Sequence, residues 1–341
     1  MNYNMFSEKL SEDRIGYKTT FLDKIDNLID WRSTLLILKE IHLRDKSNKG
    51  PKPYSKLSMI KAILIQQWYN LSDIELENNL RDRLSFIRFC EFNLEDSVPD
   101  HSTISRFRKK MIKAGIHKKL LIEVNNQLEI NKVTIKSGAV IDASLIQAHS
   151  RPGRKELVEV EPTGDEENSA EVTATKLIEK ESKDSDARWI KKGKKYLYGY
   201  KANVSVDLEK GIIQEIITTS ANVHDTKTFP DLIQSLKLPS GSYVLADKGY
   251  SSKNNRTNLR SMKYKSGIMY KRFKTDILQL LKVRFNKHVS KYRYIVEQTF
   301  GCLHAHYNFG RTPYVGLQKT DYFLTMKSVA FNLKKMLTFV T

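Results

Sequence analysis

The sequence predicts an α/β protein with an all-helical N-terminal domain, and a change of pattern along the chain supports this fold class. Up to about residue 135, apolar residues recur at steps of three and four, the spacing of a helix that buries one face. From residue 137, short runs of β-branched and aromatic residues alternate with Gly, Asn and Asp, which is typical of strands joined by turns. A chain of 341 residues is also long for one domain. We therefore predict a helical domain at 1–135 and a sheet-containing domain at 136–341.

The helical domain is predicted to end in strongly basic segments. Upstream, "PYSKLSMIKAILIQQWYN" has one apolar face, and "LSDIELENNL" opens with a capping box formed by Ser72 and Glu75. After Pro99, "DHSTISRFRKKMIKAG" predicts a helix that carries Arg106 and Arg108. Short helices of this kind are compatible with a helix-turn-helix-like unit in which both arginines contact DNA. A helical bundle whose basic face is only solvated fits the same residues.

Four strands are predicted in the C-terminal domain, in "SGAVIDASLIQA", "YLYGYKANVSVD", "GIIQEIITTSA" and "SYVLADKGY". The second and third are expected to form an antiparallel hairpin. Helices are predicted after the third strand, after Tyr250, and from about Lys287 to His306. Residues 151–187, between the first two strands, are acidic and poor in aromatic residues, so we predict a flexible insertion there.

The excess of basic residues indicates an anionic partner. The chain has 58 Lys and Arg against 39 Asp and Glu, a net charge of +19, which favours nucleic acid through attraction and counterion release. A basic protein without such a partner, or one that binds anionic membranes, fits this balance too. No run of about 18 apolar residues and no apolar leader occurs, so we expect a cytoplasmic protein with no membrane partner. Cys90 and Cys302 lack the spacing of a disulfide framework or zinc site and are predicted to be buried thiols.

Three acidic residues have apolar or basic surroundings. Asp142 ends the run "GAVID", Asp247 ends the run "YVLAD", and Glu297 follows Arg293 by four residues in the last predicted helix. Because an unpaired carboxylate inside a strand is costly, such acids usually lie at a strand tip and face a partner or a metal. Carboxylates brought together repel one another, and a divalent cation resolves the repulsion.

A divalent metal site on a basic protein suits phosphodiester chemistry, because two ions can activate an attacking oxygen and stabilise a leaving one. Each acid also has a simpler structural interpretation. Asp142 can cap a turn, Asp247 can start the turn at Gly249, and Glu297 can pair with Arg293. The residues alone leave both interpretations open.

A family resemblance favours the metal site. In chain order, "VIDAS", "RWIKKGKKYLYGYKAN", "VHDTKTF", "LADKGYSS" and "RYIVEQTFGCLH" resemble the DDE transposases of bacterial insertion sequences, in the IS four/IS five-like group. The upstream helical segments, including "VPDHSTISRFRKKM", are similar to the N-terminal domain of that group. The resemblance covers roughly residues 50 to 335.

The resemblance implies an RNase H-like catalytic core, a mixed sheet flanked by helices. It implies that Asp142, Asp247 and Glu297 are the catalytic acids and hold two Mg²⁺ ions, for which Mn²⁺ can substitute. The signature Y-x-x-R-x-x-x-E-x-x-x-x-x-x-K of the group is matched at Arg293 and Glu297. We expect Arg293 to contact a phosphate beside the cut.

The same signature departs from the group at two positions, where Ser290 stands for Tyr and His304 stands for Lys. His304 is expected to contact DNA in place of the Lys. The departures leave the handling of flanking DNA ends, including any hairpin intermediate, undetermined.

Three further residues are predicted to contact DNA. Lys201 and the motif "NVHDT" occupy positions that the resemblance places near the site, where an indirect or a structural role is the alternative. Lys248, beside Asp247, can hold a phosphate or be merely solvated. Trp189 lies among lysines and can stack on an unpaired base or close a sheet edge.

We therefore expect a DNA transposase that binds terminal inverted repeats, cleaves double-stranded DNA and transfers the freed end to target DNA. A dimer on DNA is an expectation from the resemblance, as is a nucleoid-associated bacterial location. The competing hypotheses are a DNA-binding regulator derived from such an enzyme and an RNase H-like nuclease that cuts without joining.

Overall fold

The computed structural model describes residues 19–42, 52–133, 137–152, 156–160, 174–178, 182–271 and 279–340. Within these ranges, helices alone precede the first strand: α1 (Phe21–Leu28), α2 (Trp31–Leu38), α3 (Lys56–Tyr69), α4 (Asp73–Asp82), α5 (Leu84–Cys90), α6 (His101–Lys113) and α7 (Ile116–Ile130). The predicted capping box of α4 is confirmed, because Ser72 N donates to Glu75 Oε2 at 2.7 Å and Glu75 N donates to Ser72 Oγ at 3.2 Å. Helix α6 begins with Asp100, whose Oδ1 accepts from Thr103 N at 2.7 Å.

The rest of the described chain alternates strands and helices. The strands are β1 (Gly138–Gln147), β2 (Glu156–Val160), β3 (Ala174–Ile178), β4 (Arg188–Lys192), β5 (Lys195–Asp207), β6 (Ile213–Ser220), β7 (Tyr243–Ala246) and β8 (Lys265–Ile268). The helices are α8 (Asp225–Ser235), α9 (Lys253–Ser261), α10 (Gln279–Tyr307) and α11 (Leu317–Val340), and a short 3₁₀ turn covers Lys248–Tyr250. Helix α10 begins eight residues before the predicted start at Lys287. No described helix has the length and apolar character needed to cross a membrane.

The main sheet has six strands in the order β4–β5–β1–β7–β8, with β6 also paired to β5. Strand β1 is antiparallel to β5 and parallel to β7, and β7 is parallel to β8. The predicted hairpin between β5 and β6 is antiparallel. Three antiparallel strands followed by two parallel strands joined through helices form the RNase H-like arrangement, so the predicted fold is confirmed.

Helices cover both faces of this sheet. Ala139 and Ile141 of β1 pack with α8 and α9, whereas Val140 of β1 packs in a larger core with α10 and α11. That larger core continues into the N-terminal helices, and Trp68 Nε1 of α3 donates to Ala330 O of α11 at 2.9 Å. The helical region and the sheet therefore share one apolar core. The domain boundary at 135/136 stays a prediction.

The region of the predicted flexible insertion differs from the prediction at two places. Strands β2 and β3 pair with each other in an antiparallel sheet, while 153–155, 161–173 and 179–181 lie outside the described residues. At its C-terminal end, Asp184 is fully buried and accepts a hydrogen bond from Tyr200 Oη at 2.5 Å. Tyr198 Oη also donates to Asp184 O, at 2.7 Å. The packed fold therefore resumes before residue 187, because Asp184, an acid that the composition suggested was solvated, is buried with one tyrosine hydroxyl on its side chain and another on its backbone carbonyl.

Candidate active site

The parallel register of β1 and β7 places two of the three predicted acids side by side. The last residues that β1 and β7 pair are Ile141 and Ala246. Asp142 is the next residue along β1, and Asp247 directly follows the end of β7. Apolar residues bury both strands up to this point, with Ile141 and Ala246 fully inaccessible to solvent. The strands therefore deliver two carboxylates to the same edge of the sheet.

Helix α10 crosses this edge and brings Arg293 and Glu297 to the two aspartates. Arg293 Nη2 lies 3.0 Å from Asp142 Oδ2 and 3.5 Å from Glu297 Oε1, and Arg293 Nη1 lies 3.6 Å from Asp247 Oδ1. Arg293 and Glu297 are one helical turn apart, so the same face of α10 presents both. The three predicted acids thus meet around one guanidinium.

The electrostatics of the cluster leave negative charge unbalanced. Burial raises the pKa of Asp142 above its ordinary value, and the neighbouring Arg293 offsets this only in part. For Arg293, burial lowers the pKa, but Asp142, Asp247 and Glu297 outweigh it and raise the pKa overall. One guanidinium balances one of three carboxylates, so the cluster attracts a further cation.

The residues of the cluster fit a divalent metal ion in donor chemistry. All three acids supply oxygen atoms, which Mg²⁺ and Mn²⁺ prefer, and they converge on one cationic position. Arg293 Nε is buried without a hydrogen-bond partner, so the guanidinium is not fully satisfied where it lies. In the part of the chain that the structure describes, no three His, Cys, Asp or Glu side chains are spaced to hold an ion as they stand. The guanidinium of Arg293 contacts all three carboxylates in this arrangement.

His304 lies on the same side of α10, two turns beyond Glu297. Its Nε2 is 2.8 Å from Ser144 Oγ, and Ser144 follows Asp142 by two residues on the same face of β1. A side chain at Gly310 would place its Cβ 2.9 Å from His304 Nδ1, so Gly310 leaves the space that the imidazole occupies. Partial burial lowers the pKa of His304, which keeps the imidazole neutral at neutral pH.

Two of the predicted DNA contacts have side chains that are buried and paired, which disfavours direct contact with DNA. Lys201 is 7% exposed, and its Nζ donates to Asp225 Oδ1 and to Val223 O, each at 2.7 Å. It lies on the opposite face of β5 from Val204, the partner of Asp142.

Arg108 is the second. It is 4% exposed, and Asp73 binds its guanidinium through both carboxylate oxygens. The other predicted contacts, Arg106, Lys248 and Trp189, are exposed.

Two further residues lie beside the cluster: Asp225, in the motif "NVHDT" that the resemblance placed near the site, and Tyr250, which the sequence reasoning did not assign. Asp225 binds Lys201, and its Oδ2 would lie 3.3 Å from a Cβ at Gly249, which places it next to the Asp247 turn. Tyr250 is 1% exposed, and its hydroxyl has no hydrogen-bond partner among the described residues. Burial, together with the nearby carboxylates, raises the Tyr250 pKa well above its ordinary value. The motif "DKGY" draws attention to Tyr250 in the sequence. The burial of Tyr250 depends on its packing against α8, which the motif does not show.

Comparisons with known proteins agree with this geometry. The Transposase DDE domain family matches residues 134–333, and the Transposase domain (DUF772) family matches residues 9–110. The transposase for insertion sequence element IS1106 from Neisseria meningitidis serogroup B is 37% identical over 232 residues, which are 67% of this chain and 76% of that protein.

Two solved structures are similar at low TM-scores. The cryo-EM structure of the piggyBac transposase synaptic complex with hairpin DNA is 11% identical, with a TM-score of 0.40 over 95% of this chain and 75% of that chain. The Mos1 transposase paired-end complex with left transposon end is 9% identical, with a TM-score of 0.22 over 91% of this chain and 86% of that chain. At these scores the fold assignment rests on the strand order. Because the family match covers more than half of the chain, and a transposase shares 37% identity over most of its own length, the chain belongs to the DDE transposases.

Proposed function

We propose that this DNA transposase binds the terminal inverted repeats of an insertion sequence, hydrolyses a phosphodiester at each end, and joins the freed 3′-OH to target DNA. The observation that carries the proposal is the convergence of Asp142, Asp247 and Glu297 on Arg293 at one edge of the sheet. The substrate class is double-stranded DNA. The net charge of +19 supports this choice, because a basic surface attracts phosphates and releases their counterions.

The three acids are proposed to hold two Mg²⁺ ions, for which Mn²⁺ can substitute. When bound, such ions activate the attacking oxygen and stabilise the leaving oxygen in an in-line displacement. Asp142 and Asp247 lie on adjacent strands of a packed sheet, so their carboxylates start from fixed positions. Glu297 is 60% exposed and can adjust to the ligand geometry.

Arg293 and its exposed neighbours are proposed to hold the DNA. A guanidinium that leaves the carboxylates can bind a phosphate in two places at once, which a lysine cannot do. Lys248 follows Asp247, is exposed, and can neutralise a second phosphate. His304 is exposed beside Ser144 and extends the contact along α10.

The helical region up to about residue 135 is proposed to bind the terminal repeats. Exposed Arg106 on α6 is the proposed contact. Its guanidinium donates to the hydroxyls of Ser102 and Thr103 on the same helix, at 3.2 and 3.0 Å. Joining two element ends requires two active sites, so we propose that the protein acts as a homodimer on DNA.

The test is Asp247→Asn on a plasmid that carries the inverted repeats flanking the reading frame. We expect loss of Mg²⁺-dependent cleavage and strand transfer with unchanged repeat binding, because the amide keeps the size of the side chain and removes the charge. Asp231→Asn, at an exposed position of α8, is the matched control and should cleave normally. Measured products are nicked or linear plasmid and joined target DNA. Retained cleavage by Asp247→Asn would disprove the assignment of this acid.

The same assay separates the proposal from its alternatives. Repeat binding by the unaltered protein without cleavage in Mg²⁺ or Mn²⁺ would indicate a regulator. Cleavage without any joined product would indicate a nuclease.

A further inference from the structure

Strands β4 and β5 form a hairpin that extends beyond the rest of the sheet. Strand β5 has 13 residues, and β1 pairs with it from Gly199 to Asp207. The first residues of β5, before Gly199, pair with β4 alone among the described strands. We call residues 188–199 the basic hairpin.

The basic hairpin presents aromatic rings and cations to solvent. Trp189 is 48% exposed and Tyr196 is 62% exposed, unusual for large aromatic side chains. Lys191 Nζ lies 5.4 Å from the centre of the Tyr196 ring. Residues 188–199 contain no acid, and their exposed cations are Arg188, Lys191, Lys192, Lys194 and Lys195. The surface is complementary to a polyanion that also offers flat rings.

The aromatic face of the basic hairpin lies on the same side of the sheet as the acids. Trp189 pairs with Tyr198, and the two rings are 5.2 Å apart. Tyr198 belongs to the core that α10 covers, as does Val204, the strand partner of Asp142. Alternate residues of a strand share a face, so Trp189 and Asp142 face the same side.

The distance between them follows from the register. Tyr198 and Val204 are separated by six steps of about 3.3 Å, or roughly 20 Å along β5. One strand of B-form DNA advances about 3.4 Å per nucleotide, and an unpaired strand is more extended, so this distance corresponds to at most about six nucleotides.

Two exposed side chains lie near β1 between the acids and the basic hairpin. His304 lies beside Ser144, two residues beyond Asp142 on β1. Arg311 forms a bridge with Gln147, and its Nη2 donates to His149 O at 3.0 Å. Gln147 pairs with Gly199, the last residue of the basic hairpin, so Arg311 lies where β1 meets the hairpin.

We propose that the basic hairpin binds an unpaired stretch of DNA within about six nucleotides of the cut phosphate. Trp189 and Tyr196 stack on bases, and the lysines neutralise the adjacent phosphates. The bases are unpaired because the faces of paired bases are covered by their neighbours in the duplex, and only a displaced base can receive a ring. The inference rests on the proposed function, which supplies the DNA.

The first test measures binding of fluorescein-labelled dT12 and of a 12-base-pair duplex by anisotropy, in EDTA. Trp189→Ala and Tyr196→Ala should each weaken dT12 binding about tenfold, while Trp189→Phe retains most of it. Lys191→Ala should lower the slope of log affinity against log salt by about 0.7. Duplex binding should change less than twofold with Trp189→Ala, since no base face is available.

The matched control is Tyr243→Ala. Tyr243 is 49% exposed with Lys265 Nζ 5.1 Å above its ring, but it starts β7, at the end of the strand away from Asp247. It should leave dT12 binding unchanged. Equal losses at Tyr243 and Trp189, or equal losses for dT12 and duplex, would overturn the inference.

A second, independent test determines how far from the cut phosphate the bound bases lie. Single abasic sites are placed three to nine nucleotides from the cut in end substrates, and cleavage is measured in Mg²⁺. An abasic site at one of the positions within about six nucleotides of the cut should slow the unaltered protein and have no added effect in Trp189→Ala. Cleavage that is insensitive to every abasic site rejects the inference alone, whereas no cleavage of the intact substrate rejects the proposed function. Asp247→Asn should still bind dT12.

Discussion

Arg106 and Arg108 lie two positions apart on α6 but have opposite surroundings. Arg108 Nη1 donates to Asp73 Oδ2 at 2.9 Å, and its guanidinium lies 5.2 Å from the centre of the Tyr314 ring. Arg108→Ala should lower the free energy of unfolding by about 3 kcal/mol, because it leaves a half-buried carboxylate without its partner. Arg106→Ala should change it by less than about 0.5 kcal/mol, since Arg106 is exposed. Urea denaturation checks both values, and equal losses would contradict the assigned roles.

For single residues, the sequence indicated candidate site residues more readily than it indicated which side chains are buried. The residue pattern marked Asp142, Asp247 and Glu297 as candidates but left a structural interpretation open for each, and the family resemblance favoured the metal site. The burial of Arg108 could not be identified, because Asp73 is 35 residues away and a basic helix looks the same whether one arginine is paired or all are solvated. Long-range partners decide burial, and a single sequence does not state them.

Helix α11 joins the helical region to the sheet through a buried lysine. Lys327 Nζ donates to Asn70 Oδ1 at 2.7 Å and to Gln67 O at 3.1 Å, and burial lowers its pKa from 10.5 to about 7. Between these two pH values the unfolded chain holds a proton that the folded chain has lost, so the folded state gains stability as the pH rises. This gain is absent below about pH 7, where both forms are protonated.

Lys327→Met should remove this pH dependence, because methionine fills a similar volume without titrating. Relative to the unaltered protein, the variant should lose stability steadily as the pH is raised from 7 to 10. Urea denaturation at several pH values measures the difference. Lys319→Met, at an exposed position of the same helix, is the control. A difference that does not vary with pH would contradict the assigned burial.

The strands and helices themselves were largely predictable, since periods of two and of three to four residues are local. The periodicity of the sequence did not show where the acidic region ends and the packed fold resumes. Asp184 accepts from Gly316 N at 3.3 Å, and Asp186 Oδ2 accepts from Leu317 N at 2.8 Å, so both aspartates bind the start of α11. That contact spans more than 130 residues of sequence and leaves no periodic signal.

The whole molecule has one large core that extends from the N-terminal helices to the sheet. We expect cooperative unfolding, and Trp189→Phe allows a direct measurement. In that variant the remaining tryptophans, Trp31 and Trp68, both belong to the helical region. Their fluorescence should report the same urea midpoint as the far-ultraviolet circular dichroism of the whole chain. Separate midpoints would show that the helical region unfolds independently.

The position of Arg293 has a consequence for metal binding. The chain supplies its own counterion to Asp142, Asp247 and Glu297, so an incoming Mg²⁺ competes with a tethered guanidinium rather than with water alone. A phosphate that draws Arg293 away removes this competitor, and linkage requires that bound metal in turn favours the phosphate contact. If the acids hold metal and Arg293 binds a phosphate as proposed, the free protein is a weaker metal binder than its three acids suggest. Affinity for the ion and for the DNA would then rise together, which would tie loading of the site to the presence of substrate.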